Sequence, residues 1–140
     1  MLTQCLLFAL LILIANTSAY GRNESMSILC SQIYGFGNDT LRAAEKLLNL
    51  ARNPEKYKKK EYKKRKTNLY FERDRIETIM KVWIMDKWDP NHEKYVAMKE
   101  AAQALKEVGD IKTDAPDMRE AKMKKVFEKV KTMMDVLRVW

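Results

Sequence analysis

Residues 56–88 read KYKKKEYKKRKTNLYFERDRIETIMKVWIMDKW, a stretch with neither Gly nor Pro. Its first half is dense in lysine, and its second half is rich in apolar and aromatic side chains. Apolar residues recur at helical steps, which place them on one side of a single helix. The spacing predicts a long helix over residues 55–87, with Thr67 as an alternative start for its second half. The predicted stripe consists of Tyr62, Leu69, Ile76, Ile79, Met80 and Trp83.

The charge of the chain is concentrated in the first half of this stretch. Residues 52–66 hold nine Lys or Arg against two Glu, a local net of +7, while the whole chain carries +8. Like charges crowded together repel one another and raise the free energy of the compact state, so such a block favours a partner of opposite charge. A solvated helix face is the alternative interpretation, and the residues alone leave both open.

Amphipathic patterns outside this stretch predict four more helices, at about 24–34, 40–52, 90–108 and 116–140. Gly35 and Gly37 are expected to end the first, because glycine tolerates the positive φ found at helix ends. Pro54 is expected to close the second, and Asp89 to cap the third, at 90–108, ahead of Pro90. Together the segments predict an all-α fold, a compact bundle of about five helices with one long central helix. The stripes of these four helices contain Met26, Leu29, Cys30, Ile33, Leu41, Ala44, Leu47, Leu48, Ala51, Tyr95, Met98, Ala101, Ala102, Leu105, Val108, Met123, Val126, Val130, Met133, Leu137 and Trp140.

Residues 1–19 form a segment of a different kind. They read MLTQCLLFALLILIANTSA, with no charged side chain, an apolar core and small residues at the end. This pattern is typical of a secretory signal peptide, and the apolar core is shorter than the roughly 20 residues of a membrane span. We therefore expect a secreted protein with a single helical-bundle domain over residues 20–140.

Removal of the signal would leave one cysteine, Cys30, and no intramolecular disulfide. Cys30 lies among apolar neighbours such as Leu29 and Ile33, so a buried thiol is the favoured interpretation. Two acceptor sequons, at Asn23 and Asn38, would remain, and a third at Asn16 would leave with the signal. Both are glycosylation candidates in a secreted chain.

The residues give little support to catalysis. His92 is the only histidine, which leaves no pair of ligands for a zinc site and no partner for a hydrolytic triad. The carboxylates Glu72, Asp74 and Glu77 alternate with basic residues at the spacing of intrahelical ion pairs. We expect neither an enzyme nor a bound metal or cofactor, and we expect His92 to be a solvated surface residue.

Aromatic residues beside the basic run point around the helix rather than along one stripe. An exposed apolar patch there would mark self-association as a homodimer or contact with a membrane. We expect the patch and the cations to form one docking face for an acidic glycoprotein or an anionic membrane surface, while secretion disfavours nucleic acid. The patch candidates are Tyr70, Phe71, Trp83 and Trp88. The basic candidates are Lys58, Lys59, Lys60, Lys63, Lys64, Arg65, Lys66, Arg73 and Arg75.

The run KTNLYFERDRIETIMKVWIM at residues 66–85 resembles the long helix of the egg-lysin family, the sperm acrosomal proteins of marine gastropods. The resemblance implies a five-helix bundle with tracks of basic side chains and an exposed apolar patch used for dimerisation. It also implies storage in the sperm acrosomal vesicle and a non-enzymatic action on the glycoprotein egg envelope at fertilisation. Under it, the basic residues named above other than Lys66 would contact the envelope.

Two other kinds of secreted protein fit the same residues. One is a short helical-bundle, cytokine-like ligand that docks on a receptor. The other is a membrane-active, toxin-like protein whose amphipathic Lys/Trp helix inserts at a lipid interface. Salt discriminates the first from glycoprotein binding, because exposed electrostatic contacts weaken steeply as ionic strength rises.

Overall fold

The fold is described from a computed structural model. It describes the backbone of residues 2–56, 58–108 and 115–138, and the side chains of residues 26–53, 55–56, 58–108 and 115–138. These residues form four α-helices and a short 3₁₀ helix, with no strand in the ranges described. The elements are α1 (Leu2–Arg52), the 3₁₀ helix Pro54–Lys56, α2 (Lys59–Met85), α3 (Glu93–Glu107) and α4 (Pro116–Leu137).

The helices pack as a bundle in which each one contacts two others. α1 packs on α2 and α4, and α3 packs on the same two helices from the other side. The all-α prediction and the helical bundle are therefore confirmed. The expected five helices and the long central helix are not: the longest element is α1, and α2 is one of four helices around a shared core.

The predicted apolar stripes supply that core. Nearly all of their described members are buried, because one side of each amphipathic helix faces the other helices. Leu29, Leu41, Met80 and Tyr95 are half-buried at its edge. Predicted core residues that are fully buried include Ile33, Ala44, Leu47, Leu69, Ile76, Met98, Ala101, Leu105, Val108, Met123, Val126, Val130 and Met133.

The predicted helix end at Gly35 and Gly37 is wrong. α1 runs through both glycines, and neither has a positive φ. Glycine permits a helix to stop but does not impose it, and here the apolar stripe continues in register from Ile33 to Leu47, so burial favours one continuous helix. Gly37 also has a packing role, since a Cβ there would overlap Sδ of Met134 on α4. The two expected short helices are therefore one.

The connection between α2 and α3 also departs from expectation. Asp89 does not cap the helix predicted at 90–108. Its carboxylate accepts a hydrogen bond from the Asn91 N–H at 2.8 Å, inside the connecting turn. The N-cap of α3 is His92, whose Nδ1 accepts from the Lys94 N–H at 3.2 Å. His92 is exposed as expected. Asp89 thus makes a cap-like hydrogen bond, but residues 90–92 form a turn rather than a helix, so α3 begins at Glu93 with His92 as its N-cap.

The start of α4 agrees with the sequence. Pro116 occupies the first turn, where its missing N–H leaves no hydrogen bond unmade. Trp140, the last expected member of its stripe, lies outside the described residues.

The continuous α1 predicts opposite outcomes at its two glycines. Gly35→Ala should raise the free energy of unfolding by about 1 kcal/mol, because alanine is the better helix former and nothing lies within 4 Å of the added Cβ. Gly37→Ala should gain less or lose stability, because Met134 must move. Urea denaturation of the two variants measures both changes. A loss of stability in Gly35→Ala would contradict the continuous helix.

Cys30 confirms the expected buried thiol. It is free, it is 2% exposed, and burial raises its pKa to about 11. Because the thiolate is the nucleophile, the native protein should react with a disulfide reagent at about pH 8 far more slowly than a free thiol. Absorbance after mixing measures the rate, and addition of denaturant should restore it. With Cys5, the other thiol of the full chain, replaced by serine, fast labelling of the folded protein would contradict this burial.

Candidate functional site

Five lysines gather at the start of α2 and form what we call the lysine cluster: Lys58, Lys59, Lys60, Lys63 and Lys64. All five are exposed. The first three stand at the N-cap and first turn of α2, where the helix dipole already places positive potential. Their charge adds to that of the helix end and makes this corner of the molecule strongly cationic.

The lysine cluster is held on a packed helix. Tyr62 and Leu69 are buried, and α2 contacts α1. The basic half of α2 therefore packs against the body of the protein, since Tyr62 gives it a core-facing side. Glu61, which lies among the lysines, accepts two hydrogen bonds from Arg65 at 2.7 and 3.2 Å. Arg65 lowers the pKa of Glu61, so the carboxylate is already engaged within the helix.

An aromatic residue extends the lysine cluster along α2. Lys60, Lys64 and Phe71 follow at spacings of four and seven residues, which place them on one side of the helix. Phe71 is 62% exposed. Tyr70 beside it is half-buried, with Arg73 Cζ 4.8 Å and Lys66 Nζ 5.2 Å from its ring centroid. Cations and rings therefore alternate over about three turns.

Trp83 does not belong to an exposed patch. It is 1% exposed, and its Nε1 donates to the Asp89 carbonyl at 2.9 Å. Its ring lies 5.3 Å from Trp88, 5.4 Å from His92 and 5.9 Å from Tyr95, measured between centroids. The helical spacing that placed Trp83 on the apolar stripe was the correct guide. Trp88 is half-buried against it, so these two rings order the turn between α2 and α3.

A pocket of about 480 Å³ lies between α1 and α2, and we call it the α1–α2 pocket. Phe36 and Phe71 contribute its aromatic surface, and both are exposed. The basic residues that line it are Arg42, Lys46, Arg65 and Arg75, and the acidic ones are Asp39 and Glu72. Arg75 Cζ lies 3.7 Å from the Phe36 ring centroid, so the guanidinium joins the two helices.

Glu72 is the unusual member of the α1–α2 pocket. Its side chain is buried; Oε2 accepts a hydrogen bond from Arg75 at 3.2 Å, while Oε1 has no donor among the described residues. Burial raises the pKa of Glu72, and Arg75 and the nearby Thr40 hydroxyl offset part of the rise. From the sequence, the spacing of Glu72 to basic residues predicts an ordinary intrahelical ion pair. The available signal was its position three residues after Leu69 and four before Ile76, on the buried stripe.

Of the two glycosylation candidates, the structure describes the side chain of Asn38. Asn23 lies outside the residues whose side chains the structure describes. Asn38 is exposed on α1, but Thr40 of the same sequon is buried, and its hydroxyl donates to the Phe36 carbonyl at 3.2 Å. This regular helix differs from the surface loop expected for an acceptor site.

The described residues include no group of three His, Cys, Asp or Glu side chains that could hold a metal ion. Nor does any helix in the described part of the chain combine the length and apolar character needed to cross a membrane. No protein-family model, curated protein or solved structure matches the chain.

The buried carboxylate of Glu72 predicts that the free energy of unfolding depends on pH. Because the folded-state pKa of Glu72 is raised, the native state loses stability as pH rises through the unfolded and then the folded pKa. Glu72→Gln does not titrate and keeps an oxygen to accept from Arg75. The stability of this variant relative to wild type should therefore increase between about pH 4 and about pH 7.

Urea midpoints at the two pH values measure this change. Glu128→Gln, at an exposed position on α4, is the matched control. Its stability relative to wild type should change less between the two pH values. A constant difference between Glu72→Gln and wild type across this range would contradict the raised pKa.

Proposed function

We propose that this chain is a secreted, basic helical protein that binds an anionic glycoprotein surface without enzymatic chemistry. One observation carries the proposal: five exposed lysines cluster at the start of a packed helix, and two of them, Lys60 and Lys64, lie in line with the exposed Phe71. A purely solvated face has no need of the aromatic ring. A rigid aromatic next to cations supplies contact area at an interface with little loss of side-chain entropy.

Binding would occur in two stages. The field of the lysine cluster first attracts acidic groups from a distance, which raises the association rate. Phe71 and the half-buried Tyr70 then contact the surface directly and slow dissociation. A bound target would lose whatever internal contacts those groups displaced, with no covalent bond cut.

The resemblance of residues 66–85 to sperm lysins supports a particular setting for this activity. It makes the glycoprotein envelope of an egg the first target to test and the acrosomal vesicle the first site in which to seek the protein. Secretion through residues 1–19 belongs to the same proposal.

A receptor ligand is the second candidate function. It is favoured by Ile84 and Met85, which are 49% and 78% exposed at the end of α2. Such apolar residues could centre a receptor interface. Binding through them would weaken little as salt rises, whereas binding through the lysine cluster would weaken steeply.

Neutralising the lysine cluster tests the first proposal. Replacing its five lysines by glutamine should weaken capture of an immobilised sialylated mucin on the order of tenfold or more, because the association rate depends on local charge. Surface plasmon resonance at low and high salt measures this change.

A charge-matched control removes five other exposed lysines: Lys81, Lys99, Lys106, Lys124 and Lys131. It has the same net charge as the cluster variant and should lose much less affinity. Equal losses would show that only total charge matters, and would end the proposal of a docking face. Preferential capture by anionic vesicles over the mucin would point to a lipid surface instead.

A further inference from the structure

The α1–α2 pocket offers three kinds of contact within one space. Phe36 and Phe71 present exposed rings, Arg42 and Lys46 bring positive charge from α1, and Glu72 lies at the buried side. Its volume of about 480 Å³ falls within the range of roughly 300–1,000 Å³ found for small-molecule sites.

The carboxylate of Glu72 shows that the pocket is chemically incomplete. Buried polar atoms in folded proteins almost always have a hydrogen-bond partner. Oε1 of Glu72 has none among the described residues, although the residue is only 1% exposed and lines the pocket. The Thr40 hydroxyl lies near this carboxylate but donates its proton to the Phe36 carbonyl. A ligand that supplies a donor there would meet this need.

We propose that the α1–α2 pocket binds an acidic sugar residue of the anionic glycoprotein, which makes this inference dependent on the proposed function. The carboxylate or sulfate of the sugar pairs with Arg42 and Lys46. A hydroxyl of the same sugar donates to Glu72 Oε1, and the apolar face of the ring stacks on Phe71 or Phe36.

Other ligand classes meet only part of this pocket. An inorganic anion has the charge but neither the hydroxyl donor nor the apolar face. A neutral sugar leaves the cations unmatched, and an apolar molecule leaves Glu72 without a donor. An organic cation would face four guanidinium and ammonium groups against the two carboxylates of Asp39 and Glu72, one of which pairs with Arg42.

Arg75 is the side chain that governs access to Glu72. It contacts the Phe36 ring and donates to the other carboxylate oxygen, so it touches both the aromatic and the acidic part of the pocket. Its own side chain is 43% exposed. Oε1 itself is closed to solvent, and a shift of Arg75 that keeps its hydrogen bond to Oε2 would open Oε1 to the ligand hydroxyl.

Three related sugars test the ligand class by NMR titration of the protein: sialyllactose, lactose sulfate and lactose. The acidic sugars should bind at least about tenfold more tightly than lactose, with shifts centred on Phe36, Phe71 and Glu72. The stronger of the two identifies a carboxylate or a sulfate as the acidic group. Inorganic sulfate should bind more weakly than either. Equal binding of lactose and the acidic sugars, or no binding at all, would overturn the proposal.

Two variants locate the site, and a third serves as control. Phe71→Ala removes an exposed ring, and Glu72→Gln replaces one carboxylate oxygen with an amide; each should weaken sialyllactose or lactose sulfate binding at least about tenfold. Met118→Ala, at an exposed position on α4, should leave it unchanged. Equal affinity in all three would overturn the assignment to this pocket.

The outcome is separable from that of the proposed function. If mucin capture depends on the lysine cluster but no acidic sugar binds in the pocket, the pocket assignment fails and the docking face stands. If neither the mucin nor the sugars bind, both fail.

Discussion

The position of the lysine cluster depends on hydrophobic burial along the opposite side of α2. Leu69, Ile76 and Trp83 on this helix are essentially inaccessible to solvent, and burying such a side chain contributes about 1.5–3 kcal/mol. Repulsion between exposed like charges one helical turn apart costs only a few tenths of a kcal/mol per pair. Burial therefore outweighs repulsion, and the cations are displayed on an ordered helix. That order lowers the entropy lost when a partner binds.

Helical periodicity was sufficient to predict which residues form the core. The stripes on α2, α3 and α4 are buried much as their spacing implied. Apolar residues at a period near 3.6 fall on one side of a helix, and no competing strand pattern is present in the sequence. Helical spacing correctly placed Trp83 on the buried stripe, whereas the prediction that Trp83 belongs to an exposed patch was wrong. Helical spacing also places Glu72 on the buried stripe, although its charge is typical of a surface residue.

Two features depended on information that local sequence does not carry. The helix end expected at Gly35 depends only on the backbone freedom of glycine, whereas the continuity of α1 depends on burial against the other helices. The α1–α2 pocket joins Phe36 to Phe71, residues on different helices. Their proximity follows from how the helices pack, so no motif within either segment could reveal it. The exposed lysines, by contrast, were evident because charge density is a purely local property.

The approach of Met134 to Gly37 has an evolutionary consequence. It couples two positions on different helices through volume alone, with neither charge nor hydrogen bonding involved. Among homologous chains, a larger residue at 37 would be tolerated where the residue at 134 became smaller or shifted. Paired changes at these two sites would therefore trace the α1–α4 contact through divergence, even where the surface lysines had been lost.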